Sequence, residues 1–266
     1  MNARTEPAEA EAEPDATARP ALIREFLLVA GLFLVYKLGR RLATGHTGEA
    51  FRNAHHVWHL ERAVRLPDEI SVQSALLRGD ALVHLANTYY ATVHFPATLA
   101  FLVWLYLRRP AHYVWARRVL AVVTTAALVL PFTFPLAPPR MLAGTGLVDT
   151  ARVYGPSVYG PPSSDHLSNQ FAAMPSLHFG WALMVAIGLI AATRSRWRWL
   201  WLAHPLITLL VIVGTANHYW LDAIVATAML ALSLAALQPR RRRATTAGRG
   251  MDRLASGTSV LAGAGR

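Results

Sequence analysis

Apolar residues gather in six long runs separated by polar, proline-bearing or arginine-bearing segments: Ala21–Leu42, Val83–Leu107, Val119–Leu136, Ser176–Thr193, Leu200–Ala216 and Leu221–Leu237. A bilayer core of ~30 Å needs about 20 mostly apolar residues per helix, so each run predicts a membrane span. Strand-period alternation is absent, which argues against a β-barrel. The expected fold is therefore an all-α integral membrane protein, a bundle of six transmembrane helices over residues 21–238. In the first run Arg24, Glu25 and Lys37 lie near the ends, where long side chains can snorkel to the interface. The fifth and sixth runs adjoin so closely that Asn217–Trp220 must itself be the turn.

Between and beyond the spans the pattern changes. Residues 1–20 are rich in Glu, Ala and Pro, lack a basic leader and read as a disordered tail. Residues 45–80 are polar and partly helical, suited to the membrane surface outside the bundle. Residues 137–175 form a long loop rich in Pro and Gly, and residues 239–266 a basic, low-complexity tail.

Composition narrows the reading. Hydrophobic residues make up 54% of the 266 and charged residues 15%, against roughly 25% charged in soluble domains. The chain has no cysteine, which excludes disulfides, thiolate metal sites and cysteine nucleophiles. Its formal charge of +11 could suggest nucleic acid, but the arginines follow a membrane pattern instead. Arg108, Arg109, Arg117 and Arg118 follow the second run, Arg194, Arg196 and Arg198 the fourth, and Arg240–Arg243 the sixth. The positive-inside rule puts these three regions in the cytoplasm, against Lys37, Arg40 and Arg41 on the other side. The protein is thus expected to be a multi-pass cell-membrane protein with the bilayer, and no nucleic acid, as partner. Trp115, Trp197, Trp199, Trp201, Tyr219 and Trp220 lie at span ends, as an aromatic belt would.

Ionisable residues inside lipid are costly and call for a functional reading. With that orientation they fall at the extracytoplasmic end of four segments. His178 opens the fourth span after Pro175 and Ser176, and Ser176 is a suitable helix N-cap. His218 and Asp222 bracket the last turn, one helical turn apart, so the carboxylate can accept the Nδ1 hydrogen and leave Nε2 to attack an electrophile. Arg140, after Pro138 and Pro139, suits bidentate binding of phosphate. Asn87, Tyr90 and His94 follow helical spacing down the second span, on the same half. A helix N-terminus at Ser176 could also hold an anion. His55, His56 and His59 form a cluster without a metal partner of known spacing, so no metal is expected. Glu61 reads as a solvated helix residue paired locally.

These motifs resemble a known family. Pro175-Ser176-Leu177-His178 is similar to the P-S-G-H motif, and His218-x3-Asp222 to the end of the last motif, of the type 2 phosphatidic acid phosphatase superfamily. The resemblance covers about residues 81–237. It departs at the first motif, K-x6-R-P, of which only Arg140 is present, with Thr133 and Met141 at the lysine and proline positions. Val211 and Ile212 stand where the last motif has Ser-Arg, and Leu177 replaces a glycine. These departures resemble the inositol-phosphorylceramide-synthase-like branch.

The resemblance implies a six-span enzyme acting on a phospholipid or isoprenoid phosphate, with no cofactor. His218 would be the nucleophile that forms a phosphohistidine, Asp222 its orienting group and His178 the general acid. Arg140, Ser176, Tyr90, His94 and Asn87 would line the substrate site, and an alcohol or polyol could replace water as acceptor. Two other readings stand beside it: an intramembrane serine hydrolase built on Ser176, and a transporter or flippase in which the histidines relay protons.

Overall fold

The computed structural model describes residues 47–156 and 170–237, together with 20–25, 27, 28, 30, 31 and 34. Of the expected tails at 1–20 and 239–266, all but Pro20 lies outside the described residues, as do Lys37, Arg40, Arg41 and the Arg240–Arg243 run. Among the described residues the structure is helical and contains no strand, only an isolated parallel bridge between Leu136 and Ala172.

Two helices, α1 (Thr47–Ala63) and α2 (Glu69–Leu76), lie between the first and second apolar runs. They do not stand apart from the bundle. Asn53 donates to the carbonyl of Pro135, and Gln73 donates to the carbonyls of Gly214 and Val148. Both helices therefore cover one end of the bundle with a buried face that includes Ala50, Ala54, Val57 and Gln73.

The second apolar run breaks into α3 (Asp80–Thr92) and α4 (His94–Arg108), inclined by 50°. Pro96 explains the break. It has no N–H for the carbonyl of Thr92, and its ring crowds that carbonyl. The Asn87, Tyr90, His94 stripe is consequently shared between two helices.

The helix of the third apolar run, α5 (Pro110–Thr133), starts earlier than expected because Pro110 is pre-set for a first helical turn. Arg117 and Arg118 thus lie in a helix rather than a loop. Arg117 pairs with Glu25, which also accepts from the Tyr113 hydroxyl at 2.7 Å. Glu25 is accordingly buried and paired, not extended to the interface.

After a 3₁₀ turn at Pro139–Met141 and the short α6 (Thr150–Tyr154) come the last three helices. These are α7 (Leu177–Ala192), α8 (Ala203–Gly214) with a 3₁₀ lead-in at Arg196–Leu202, and α9 (Trp220–Ala236). By length and composition Pro110–Thr133 and Arg196–Gly214 are long and apolar enough to cross a membrane. The bent α3–α4 pair adds a third, and α7 and α9 are shorter apolar helices.

The core of the bundle joins α4, α5, α7 and α9 through Phe101, Leu105, Val119, Val123, Met184 and Leu230. Gly188 lets Phe101 approach so closely that a Cβ there would lie 2.4 Å from the ring. At one end Arg109 donates to the carbonyl of Ala192, tying the α4–α5 corner to the C-terminus of α7. The N-termini of α7 and α9 meet at the other end, where the amide of Ser176 donates to the carbonyl of Asp222.

Candidate active site

The site begins with a turn. Between α8 and α9 the chain reverses over residues 215–219, with Ala216 at φ +53°, a left-handed conformation that costs an alanine roughly 1–2 kcal/mol. This strain lets the amides of both Asn217 and His218 donate to the carbonyl of Ile212. His218 is thereby held in a buried position under the N-terminus of α7.

His218 Nδ1 lies 2.8 Å from the carbonyl of Ala173 and 3.1 Å from Asp222 Oδ2. The Ala173 carbonyl can only accept, so Nδ1 carries the hydrogen and Nε2 keeps its lone pair. Asp222 is itself fixed by the amide of Tyr219, 3.0 Å from the same oxygen. Burial pulls the His218 pKa down to about 4; the Ala173 hydrogen bond opposes this and the Arg140 charge adds to it.

Across the site, Ser176 caps α7 as its spacing suggests, its Oγ accepting from the amide of Phe179 at 3.4 Å. The side chain is fully buried in this role. One turn of helix then presents His178. Its ring lies 6.0 Å from that of His218, stacks on Tyr90 at 4.3 Å and lies 4.5 Å from His94. His94 in turn stacks on Trp181 at 4.8 Å.

Arg140 arrives from the 3₁₀ turn, where its amide donates to the carbonyl of Ala216. Its guanidinium donates to Asn217 Oδ1 at 2.8 Å and Gln170 Oε1 at 3.4 Å, and pairs with Asp149 at 3.4 Å. Asn217 is aimed at it because its own amide nitrogen donates to Thr215 Oγ1. The two ends of the 137–175 loop are pinned side by side. Leu136 accepts from the amide of Ala173 and donates to the carbonyl of Phe171.

The structure therefore brings His178, His218, Asp222, Arg140, Ser176, Tyr90 and His94 to one place. Asn87 is engaged elsewhere. Its side chain donates to the carbonyls of Thr150 and Gly155 and accepts from the Thr150 hydroxyl, so it anchors α6 against α3.

Several neighbours escaped the sequence reading. Glu61 is buried, not solvated, and its Oε1 accepts from the amide of Leu221 at the start of α9. Glu69 is buried next to it and paired with Arg62. Burial above all, then the hydrogen bond with Glu69, pushes the Glu61 pKa up to about 9, so Glu61 carries a proton at neutral pH. Glu61 and Leu221 are 160 positions apart, and no spacing rule reaches that far. Asn217, by contrast, was signalled by its place directly before His218.

A buried imidazole with an oriented lone pair, a second imidazole across a gap and a guanidinium beside them are groups able to serve as a nucleophile, an acid and an anion clamp. This is the equipment of covalent group transfer from an anionic centre. Among known families, the model described as the PAP2 superfamily matches residues 55–236. The chain belongs to the PAP2 superfamily. Membership supports a phosphatase-type enzyme acting on lipid phosphates at a membrane. No curated protein and no solved structure matches the chain significantly.

Proposed function

We propose that the protein transfers the phosphoryl group of a lipid phosphate through a phosphohistidine on His218. The observation that carries this reading is the pair of acceptors on His218 Nδ1, which leaves Nε2 as the nucleophilic nitrogen opposite His178. Nε2 attacks phosphorus and the N–P bond forms as the bond from phosphorus to the lipid oxygen breaks. His178 gives that oxygen its proton. Asp222 stabilises the positive charge that develops on His218, and Arg140 neutralises phosphate oxygens.

In the second half His178 takes a proton from water or an alcohol. The resulting oxygen attacks phosphorus, the N–P bond breaks and neutral His218 returns. The missing motif positions at Thr133, Met141, Val211 and Ile212 favour the inositol-phosphorylceramide-synthase-like branch, in which a phospho-headgroup passes to an alcohol or polyol acceptor. Six spans, with the first and the bent second counted singly, put the arginine-bearing corners in the cytoplasm and the site on the extracytoplasmic face. Ser176 serves as the cap of α7 and a contact near the phosphate, and Tyr90 and His94 hold the His178 ring.

Purified protein should release phosphate or an exchanged headgroup from a panel of lipid phosphates. His218→Ala should abolish turnover, and His178→Ala should lower it about 10²–10⁴-fold, with both variants folded in detergent. Rapid quench should trap phosphate on wild-type protein in an acid-labile, base-stable form. Full activity in His218→Ala would end the proposal.

A further inference from the structure

A cavity of about 250 Å³ opens beside His178 and runs between α4, α5 and α7, with Leu28 of the first apolar run also in its wall. His94, His178 and Trp181 stand at one part of its wall, and Leu99, Leu102 and Leu120 at another. His218 is not among the described residues that line it. The cavity therefore leaves the site on the side of the general acid, away from the nucleophile.

Its polar lining is already occupied. The Thr98 hydroxyl donates to the carbonyl of His94, and the Thr124 hydroxyl accepts from the Trp181 indole at 3.0 Å. Arg117 is paired with Glu25. What these side chains turn toward the cavity is hydrocarbon, and a polar guest entering it would lose its water without gaining partners.

Resting on the phosphoryl-transfer reading above, we propose that this cavity holds the single hydrocarbon chain of the substrate, borne on the oxygen that leaves phosphorus. The chemistry assigns the side. His178 protonates the departing oxygen as the P–O bond breaks, so whatever that oxygen carries lies next to His178. The dimensions assign the number. The three helices pack on one another pairwise around the cavity, and its α4 wall from Phe95 to Leu102 is roughly 10 Å long at 1.5 Å per residue. That is a slot for one chain, with Arg117, paired to Glu25, in its wall. The favoured substrate is a lipid monophosphate with one alkyl or prenyl chain rather than a two-chain phosphatidate.

The test uses the full-length protein in detergent and a single-chain alkyl monophosphate with a diazirine at mid-chain. Irradiation should label Leu99, Leu102, Leu120 and Ala121, and unlabelled alkyl phosphate should compete. Labelling should persist in His218→Ala, since chain binding does not need the nucleophile. Ala121→Trp, and separately Leu99→Trp from the opposite wall, should each cut labelling at least tenfold while the protein elutes as the wild type does. Label confined to residues outside the cavity wall, undiminished label in both tryptophan variants, or equal label from a two-chain phosphatidate probe would overturn the proposal. Expected labelling without any phosphate release or transfer would refute the enzyme reading and leave the chain site standing, whereas turnover with label elsewhere would do the reverse.

Discussion

At the scale of single residues, the decisive feature is that His218 is buried without being charged. Its pKa lies near 4, below the ordinary histidine value near 6.5, because burial penalises the cation and Arg140 repels it. A depressed pKa means that the imidazole stays neutral, and nucleophilic, as pH falls from 7 toward 4. The limb of kcat/KM against pH that belongs to His218 should therefore lie near pH 4. Replacing Arg140 by Gln removes the repulsion, so that limb should move to higher pH while turnover falls about 10²–10³-fold. A pH–rate series on both proteins checks the sign. The same depression also acts on folding. Between the unfolded and folded pKa values the unfolded chain binds the extra proton, so the stability His218 contributes is present above about 6.5 and lost as pH falls through 4.

At the scale of elements, short signals were legible where chemistry is local. Pro175 and Ser176 announce the start of α7, and the brevity of Asn217–Trp220 announces the last turn. Pro96 carried the break between α3 and α4, but an apolar run long enough to span a bilayer masks a kink within it. Glu25, Glu61 and Asn87 were opaque because their partners are Arg117, Leu221 and Thr150, each reached only when helices pack. An isolated acidic residue in a sequence looks the same whether water or another helix will meet it.

Packing also sets a limit at Gly188, which no periodicity distinguishes from an alanine position. Gly188→Ala would drive its Cβ into the buried Phe101 ring, at a cost of about 1–3 kcal/mol. Thermal unfolding in detergent should show the loss. Trimming the ring in a Gly188→Ala, Phe101→Leu double variant should restore part of it.

At the scale of the whole molecule, the sequence predicts that the arginine-bearing corners and the candidate site residues lie at opposite ends of the bundle. Arg109 and the C-terminus of α7 share one end, and His178 and Asp222 sit at the opposite termini of α7 and α9. The helices α1 and α2, expected outside the bundle on the membrane surface, pack over one of its ends, where Glu61 accepts from Leu221 and Gln73 donates to Gly214.

The length of α7 bears on the proposed six-span arrangement. Its 16 residues rise about 24 Å, short of the ~30 Å hydrocarbon layer. Reaction at its N-terminal end would then occur several ångströms beneath the lipid surface unless the bilayer thins there. Vesicles of short-acyl lipid should support faster turnover than long-acyl vesicles at equal substrate density, measured with the same substrate in both. Membrane thickness would then act as an input to catalysis, with each headgroup drawn inward, stripped of part of its hydration, before the chemistry starts.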